Sequence, residues 1–192
     1  MHAAGSRKGD EQKTRTLVSA AKDARHIVLI SVVGADQIPQ VSAIDRAFFG
    51  WFGMKLATER VVGQSGLGWT TLRATQAQDL ILMVARALAK LPVIPAPTGS
   101  RFQPVDATEV AEPMAELALG EPSGLVPDLA GPKIYTAAEL VNSYLSAAGK
   151  RRPLVPVHIP GQAARAIRTG ANLAPDRAVG KRTWEEFLAD RI

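Results

Sequence analysis

Hydrophobic and polar positions follow two different periods in the first third of the chain. Over residues 11–24, apolar residues recur every three to four positions among charged ones, which predicts an amphipathic helix. The run Ile27–Val33 follows, apolar except for Ser31 and rich in β-branched residues, and it ends at Gly34. A continuous run of this kind is typical of a strand whose two faces are both covered by helices in a parallel sheet.

The rest of the chain continues the alternation of helices and strands. The pattern predicts a surface connection over residues 91–98, which hold three prolines. It predicts helices from Asp45 to Ser65-Gly66, over 77–90, from Asp106 to Leu119 with a bend or early end at Pro113, from Thr136 to Gly149 and after Thr183. Asp106, Thr136 and Thr183 are each followed three residues later by a glutamate, which predicts capping boxes at these three helix starts. Strands are predicted at Trp69–Arg73, Phe102–Val105 and Leu154–Ile159. This order favours an α/β protein with a parallel sheet.

Composition and charge exclude several classes of function. The 192 residues are 46% hydrophobic and 21% charged, which is ordinary for a globular protein and excludes wholesale disorder. The absence of cysteine excludes disulfides and thiolate chemistry, and the three histidines lack metal-ligand spacing. The basic residues behind the net charge of +5 are dispersed, so we do not expect a nucleic-acid partner.

The chain shows no pattern for membrane insertion or export. Its longest apolar run, Ile27–Val33, is far shorter than the roughly 20 residues that span a bilayer. Residues 1–25 carry charges throughout and lack the apolar core of a signal peptide. We therefore expect a cytoplasmic protein without a membrane partner.

Polar residues follow two of the predicted strands at their carboxyl ends, where open parallel sheets bind ligands. Ser31 ends the first strand, and Thr75 and Gln76 follow the second. In the helix between them, Trp51 and Lys55 lie four residues apart and share a face. The residues alone leave two readings open for each side chain. Ser31 either faces a ligand or bonds neighbouring backbone, and Lys55 either reaches ligand hydroxyls or extends over apolar surface.

Several segments, in order over about residues 11–190, resemble the NmrA-like atypical short-chain dehydrogenase/reductases: His26–Asp36, Gly50–Glu59, Ser65–Gln76, Gln103–Ala111 and Gly180–Leu188. The resemblance implies an NAD(P)-binding, Rossmann-type parallel sheet flanked by helices, with a small C-terminal α+β substrate-side region. It also implies one such domain over residues 11–192, after a frayed segment at 1–10.

The resemblance assigns roles to four residues. Ser31 matches the strand-end serine that orients the substrate carbonyl or the catalytic tyrosine. Lys55 matches the lysine of a Tyr-x-x-x-Lys pair, which hydrogen-bonds the nicotinamide ribose and lowers the pKa of the tyrosine. Thr75 and Gln76 match the loop that passes near the nicotinamide. We therefore predict that Ser31 and Lys55 are catalytic and that all four residues bind the cofactor.

The chain departs from the family pattern in two places. Trp51 stands at the tyrosine position, and an indole N–H donates hydrogen bonds but does not titrate near neutral pH. No Gly-x-Gly-x-x-Gly turn follows a strand, so we expect an incomplete, truncated sheet and weak or lost NAD(P) affinity. An incomplete sheet would leave Ile27–Val33 with an unpaired edge, through which the chain is expected to form a homo-oligomer.

Two functions follow from these expectations. The first is an NAD(P)H-dependent oxidoreductase acting on a small molecule, or a degenerate fragment of one. The alternative is a non-catalytic regulatory protein that senses a dinucleotide. A third and weaker hypothesis, a nucleic-acid-binding module, is supported by the basic net charge alone.

Overall fold

The computed structural model describes residues 9–192. The helices are α1 (Asp10–Ala20), α2 (Ala43–Gly63), α3 (Gln78–Leu88), α4 (Ala107–Leu119), α5 (Ala137–Ala147), α6 (Gln162–Thr169) and α7 (Trp184–Ala189). The strands are β1 (His26–Val32), β2 (Gly68–Ala74), β3 (Ile94–Pro97), β4 (Arg101–Phe102), β5 (Gly124–Leu125), β6 (Tyr135–Thr136) and β7 (Leu154–Val157).

The main sheet has the strand order β1-β2-β5, and all its strands are parallel. β1 and β2 pair along their whole length, from His26 opposite Gly68 to Val32 opposite Ala74. Because α2 connects these two parallel strands, the unit is a βαβ crossover. The prediction of a helix-flanked parallel sheet is confirmed.

Helices cover both faces of β1, as its continuous apolar run predicts. Val28 packs with Leu72 of β2 and Met114 of α4, whereas Leu29 packs with Val62 of α2. Successive side chains of a strand point to opposite faces, so neighbouring residues enter different clusters. The burial of both faces therefore determines which β1 side chains point toward α2.

The start of α2 is held by one carboxylate that caps two helices. Asp45 Oδ2 accepts hydrogen bonds from the Ser42 N–H and hydroxyl, and the Ser42 hydroxyl accepts from the Asp45 N–H. Asp45 Oδ1 accepts from the Ala163 N–H at the start of α6, 2.9 Å away. Asp45 therefore acts from inside the helix, and α2 begins two residues earlier than the sequence pattern predicts.

Gly161 allows this carboxylate to approach α6. Its φ of 110° lies in the region that favours glycine, and a Cβ at this position would overlap Asp45 Oδ1. The contact ties α6 to the start of α2. The sequence pattern had not predicted α6, because Ile167 is its one large apolar residue.

The segment predicted as a surface connection forms a strand. β3 pairs in parallel with β7, with Ile94 opposite Leu154. The Ile94 N–H donates to the Pro153 carbonyl just before β7, and the Thr98 N–H donates to the Val157 carbonyl of β7. The prolines at 95 and 97 lie between these two donors. Proline lacks an N–H, so it is tolerated at the positions that need no donor.

The C-terminal region has its own core between α3, α5 and α7. Trp184 and Phe187 are fully buried there beside Leu140 and Tyr144. The capping boxes predicted from Thr136 and Thr183 both form, at the starts of α5 and α7. The predicted α4 box is wrong in part: Asp106 caps the helix, but Glu109 accepts from the Lys181 and Arg182 N–H groups.

Of the two effects expected from Pro113, an early end of α4 is wrong and a bend stays a prediction. The helix runs over 13 residues through Pro113 without ending early. No helix among residues 9–192 is long and apolar enough to cross a membrane.

Within the part of the chain that the structure describes, β1 pairs with β2 alone and ends the sheet. Five of its seven residues are nevertheless buried, and Leu29 is 0% exposed. Association of two copies through this edge stays a prediction. The frayed segment predicted at 1–10 lies outside the described residues except for Gly9 and Asp10, and α1 begins at Asp10.

We expect the double cap at Asp45 to stabilise the protein in a pH-dependent way. The hydrogen bond from Ala163 is the main cause that holds the pKa of Asp45 below its usual value, so this stability is present above the unfolded pKa and lost as pH falls through the folded pKa. Asp45→Asn should lower the free energy of unfolding at pH 7 and do so less near pH 3. Urea unfolding at both pH values measures this difference.

Two further variants serve as comparisons for Asp45→Asn. Ser42→Ala removes the cap of α2 alone and should cost about 1 kcal/mol. Glu112→Gln changes an exposed carboxylate of α4 and should leave stability unchanged. A loss in Asp45→Asn that is equal at pH 7 and pH 3 would contradict the electrostatic origin.

Candidate functional site

The candidate site lies where β1 and β2 end and α2 passes beside them. Ser31 and Arg73 are opposite each other in the parallel register, so their side chains leave the same face of the sheet. This is the face covered by α2, because Arg73 forms an ion pair with Glu59 of that helix. The strand ends thus place Ser31 near the helix that carries Lys55.

Ser31 is buried and has an unused hydroxyl. The residue is 5% exposed, and its Oγ has no hydrogen-bond partner among the described residues. A buried hydroxyl without a partner costs free energy, so such groups often mark ligand sites. The alternative in which Ser31 bonds neighbouring backbone is therefore not observed within residues 9–192.

Lys55 is buried on α2. The residue is 9% exposed, so its side chain does not extend over the surface into water. Burial lowers the pKa of Lys55, and the nearby carboxylates of Asp10 and Glu59 partly offset this effect. Asp10 begins α1, and it is itself buried with Oδ2 lacking a hydrogen-bond partner in the described chain. The charges of two carboxylates, one at the start of α1 and one on α2, therefore act on this buried lysine.

Arg73 connects the sheet to α2 and to the turn after β1. Its Nε and Nη2 donate to the two oxygens of Glu59 at 3.0 and 2.7 Å, and its Nη1 donates to Asp36 at 2.9 Å. The Arg73 side chain is 9% exposed and that of Glu59 12%. Paired carboxylates raise the pKa of Arg73, so the guanidinium stays charged despite its burial.

Thr75 and Gln76 belong to a buried hydrogen-bond network with the C-terminal region. The Thr75 hydroxyl accepts from the Gly131 N–H at 3.3 Å. The Gln76 amide donates to the Asn172 carbonyl at 3.1 Å and accepts from the Gln103 N–H at 3.2 Å. Both ends of the Gln76 side chain are therefore engaged within the protein. Cofactor binding by these two residues stays a prediction.

Trp51 packs against apolar neighbours rather than polar ones. It is partly buried, its ring centroid lies 4.2 Å from that of Phe52, and both belong to a cluster with Val32 and Ile167. One turn later on the same helix comes Lys55. At this position α2 has an aromatic surface and a hydrogen-bond donor but no group that releases a proton near neutral pH.

A pyrophosphate binds at a helix start that has free N–H groups and that favours negative charge. The starts of α2, α3, α4 and α6 do not have this arrangement. Asp45 already occupies the starts of both α2 and α6. Helix α3 begins after Ala77 without a glycine-rich turn, and Asp106 caps α4. These helix starts of the described chain therefore do not offer a glycine-rich phosphate turn, and the nicotinamide-side roles of Ser31 and Lys55 stay a prediction.

Side chains that commonly bind metal ions are not clustered in the described residues. No group of three or more histidine, aspartate or glutamate side chains there is arranged to hold an ion. This outcome concerns only the part of the chain from Gly9 onward.

The sequence analysis had not assigned roles to Arg73, Glu59 or Asp10. The sequence did contain a signal for Arg73: a charged residue within a buried strand needs a partner of opposite charge. Glu59 follows Lys55 by four residues, which places both on one helix face. Nothing in the sequence indicated that Asp10 would lie near Lys55, because that contact depends on how α1 packs on α2.

Solved structures with the same fold include dinucleotide-dependent enzymes. An NADPH-dependent quinone oxidoreductase from Escherichia coli, complexed with NADPH, is 18% identical with a TM-score of 0.75, covering 98% of this chain and 74% of that one. A triphenylmethane reductase from Citrobacter sp., complexed with NADP(H), is 19% identical with a TM-score of 0.68, covering 99% and 75%. The Thermus thermophilus UDP-glucose 4-epimerase complex with NAD is 18% identical with a TM-score of 0.60, covering 92% and 67%.

At these identities the likeness shows a shared fold, which confirms the predicted Rossmann type. No protein of curated function is significantly similar to the chain in sequence. The profile of a family described as NAD(P)H-binding, however, matches residues 1–113, more than half of the chain. The chain therefore belongs to this NAD(P)H-binding family, which confirms the family resemblance found in its sequence.

Proposed function

We propose that the protein is an NAD(P)H-dependent oxidoreductase of the NmrA-like type, acting on a small molecule. The observation that carries this proposal is the buried Ser31 hydroxyl at the end of β1, which has no hydrogen-bond partner among the described residues. The burial of Lys55 on α2 supports it. Membership in an NAD(P)H-binding family supports the cofactor.

The roles proposed for the residues follow from their chemistry. Lys55 donates hydrogen bonds from a charged group, which suits the hydroxyls of a ribose. Ser31 both donates and accepts, so it suits either the nicotinamide or a substrate oxygen. When bound, NAD(P)H supplies the hydride. Thr75 and Gln76 support the loop beside this position through their bonds to Gly131, Gln103 and Asn172.

The proposed substrate is an electron-poor, planar acceptor that needs no proton from α2, because Trp51 supplies none. A cationic triarylmethane carbon becomes neutral when it takes a hydride and requires no proton. A quinone that takes a hydride becomes a hydroquinone monoanion, which acquires its proton from water. The names of two proteins with the same fold, a quinone oxidoreductase and a triphenylmethane reductase, support this class.

The second candidate function is a regulatory protein that senses a dinucleotide without turning over a substrate. Trp51 at the position where the family has its tyrosine favours it. Because the Asp45 carboxylate accepts hydrogen bonds at the starts of α2 and α6, these helices do not offer a phosphate site, which supports weak dinucleotide affinity under either function.

Three further properties are part of the proposal. Residues 11–192 are taken as one domain, and the protein as cytoplasmic. Two copies are proposed to meet along β1, the end strand of the main sheet.

Dinucleotide binding tests the proposal directly. We expect the fluorescence of NADPH to change on titration with the protein, with a dissociation constant of roughly 10–100 µM. Lys55→Met should weaken binding roughly tenfold or more, because a charge-assisted hydrogen bond contributes about 1.5–3 kcal/mol. Lys90→Met, at an exposed lysine after α3, is the matched control and should bind as the wild type does.

The same titration should depend on pH. The protonated lysine donates the hydrogen bonds, so affinity is present below the pKa of Lys55 and lost as pH rises through it. Because burial lowers this pKa, the loss should begin below the usual range of a lysine. No binding at any pH, or equal affinity in wild type and Lys55→Met, would contradict the assigned role.

Turnover separates the enzyme from the regulator. We expect NADPH oxidation with a quinone or a triarylmethane dye and none with an aliphatic aldehyde. Trp51→Phe should keep kcat within about threefold, since the indole transfers no proton. A tenfold loss in that variant, once circular dichroism shows that it is folded, would contradict the acceptor class. Binding without turnover of any acceptor would favour the regulator.

A further inference from the structure

Asp128 lies in one row with Ser31 and Arg73 across the carboxyl ends of the main sheet. Ser31 is opposite Arg73 in the pairing of β1 with β2. Beyond β5 the chain stays beside β2, because Leu129 pairs with Ala74 and the Leu129 N–H donates to the Arg73 carbonyl at 2.9 Å. Asp128 precedes Leu129 by one residue and therefore lies next to Arg73.

The Asp128 side chain is on the face of the sheet that α2 covers. Leu129 packs with Val28 on the opposite face, against α4. Side chains alternate between the two faces along an extended segment, so the Asp128 side chain points the other way, as that of Arg73 does. The charges of Arg73 and of its partner Glu59 act on the Asp128 carboxyl, which agrees with this placement.

Asp128 differs from the other carboxylates at this edge because it has no partner. Glu59 and Asp36 both accept hydrogen bonds from Arg73. Asp128 is half-buried, and its side chain makes no hydrogen bond or ion pair within the described chain. A second cation, Arg177, also acts on Asp128, so the group holds two positive and three negative charges and has one negative charge in excess.

The fold does not gain stability from the Asp128 charge. Burial is the main cause that raises the pKa of Asp128, and the two nearby arginines do not fully offset this effect. The ionised carboxyl is therefore less favourable in the folded protein than in water. A carboxylate of this kind, at the carboxyl end of a parallel strand, is typical of a ligand site.

A second observation in the same row is independent of this charge. Ser31 is 5% exposed, and its hydroxyl has no hydrogen-bond partner in the part of the chain that the structure describes. Two polar groups without partners, one neutral and one anionic, thus lie on one face at the strand ends, on either side of Arg73. No three acidic or histidine side chains in that part of the chain are arranged to hold a metal ion, so the positive charge that suits Asp128 is that of an organic group.

We propose that Asp128 is a specificity-determining residue that binds the positive charge of a cationic aromatic acceptor, so that the site prefers such acceptors to neutral ones. The identity of the ligand as an acceptor rests on the proposed function, whereas the binding of an organic cation at Asp128 does not. Asp128 transfers neither a hydride nor a proton in this role.

The charge of such an acceptor changes during the reaction, and this change determines the expected kinetics. The hydride leaves the dihydronicotinamide and forms the new C–H bond, so the acceptor is reduced to a neutral product, the cofactor is oxidised to its cationic form and no proton moves. Asp128 therefore stabilises the bound substrate at least as much as the transition state, in which the substrate has lost part of its charge. Removal of the carboxylate should raise KM and should not lower kcat.

The first experiment measures ligand binding without cofactor. Malachite green is a cationic triarylmethane dye, and its reduced leuco form has nearly the same shape but is neutral at pH 7. In equilibrium dialysis, Asp128→Asn should weaken binding of the cationic dye about fivefold or more and change binding of the leuco form by less than about twofold. Asp128→Glu keeps the charge and should retain most of the affinity for the cationic dye.

The matched control is Asp23→Asn. Asp23 is exposed in the turn before β1, at the amino end of the sheet, so this variant removes the same charge far from the row. It should leave both affinities unchanged. Urea unfolding should show that Asp128→Asn is no less stable than wild type, because the ionised Asp128 carboxyl does not stabilise the fold. A large loss of stability would assign Asp128 to the fold and overturn the proposal.

The second experiment measures steady-state turnover with NADPH. For malachite green, Asp128→Asn should raise KM about fivefold or more and keep kcat at or above the wild-type value. For 1,4-naphthoquinone, a neutral acceptor, both constants should stay within about twofold of wild type. Equal weakening of the cationic dye and its leuco form, the same effect in Asp23→Asn, or an about tenfold fall in kcat at constant KM would each overturn the proposal.

The two experiments separate this inference from the proposed function. If wild type binds no NADPH but holds the dye through Asp128, the proposed function fails and the cation site stands. If NADPH is bound and oxidised but affinity for the dye does not depend on Asp128, the proposed function stands and the cation site is wrong. Absence of dye binding to wild type also overturns the cation site.

Discussion

The parallel pairing of β1 with β2, buried on both faces, is the constraint on which the rest of the structure depends. Seven residues of each strand are in register, and α2 and α4 cover opposite faces. Burial of both faces leaves one orientation for each side chain, because a shift of one residue would turn the apolar set of β1 over. Ser31 and Arg73 therefore face α2 as a consequence of where the apolar residues must go.

Burial also explains why charge is so closely arranged at this edge of the sheet. A charged group removed from water is tolerated when opposite charge and hydrogen bonds compensate it. Arg73 bonds the carboxylates of Glu59 and Asp36, and the charges of Glu59 and Asp10 act on Lys55. Ser31 has no such compensation from residues 9–192. This contrast between satisfied charges and an unsatisfied hydroxyl is the basis for proposing that Ser31 faces a ligand.

Asp45 has a comparable role at the other end of α2. Its two oxygens serve two helix starts, and Gly161 provides the space for this contact. A carboxylate at a helix N-terminus stabilises the helix and at the same time fills the position that a phosphate would take. The arrangement that stabilises α2 and α6 thus removes both helices as candidate anion sites.

The sequence by itself determined the βαβ order, the two-sided burial of β1, three of the helix starts and the family. These features depend on local period and on capping residues, which act within a few positions of one another. Only the tertiary structure decided that Gln76 bonds Asn172 and Gln103, that Arg73 bonds Glu59, that Asp45 reaches α6 and that 94–97 is a strand. Each of these contacts joins residues far apart in the chain, so its partner is selected by packing and carries no local signal.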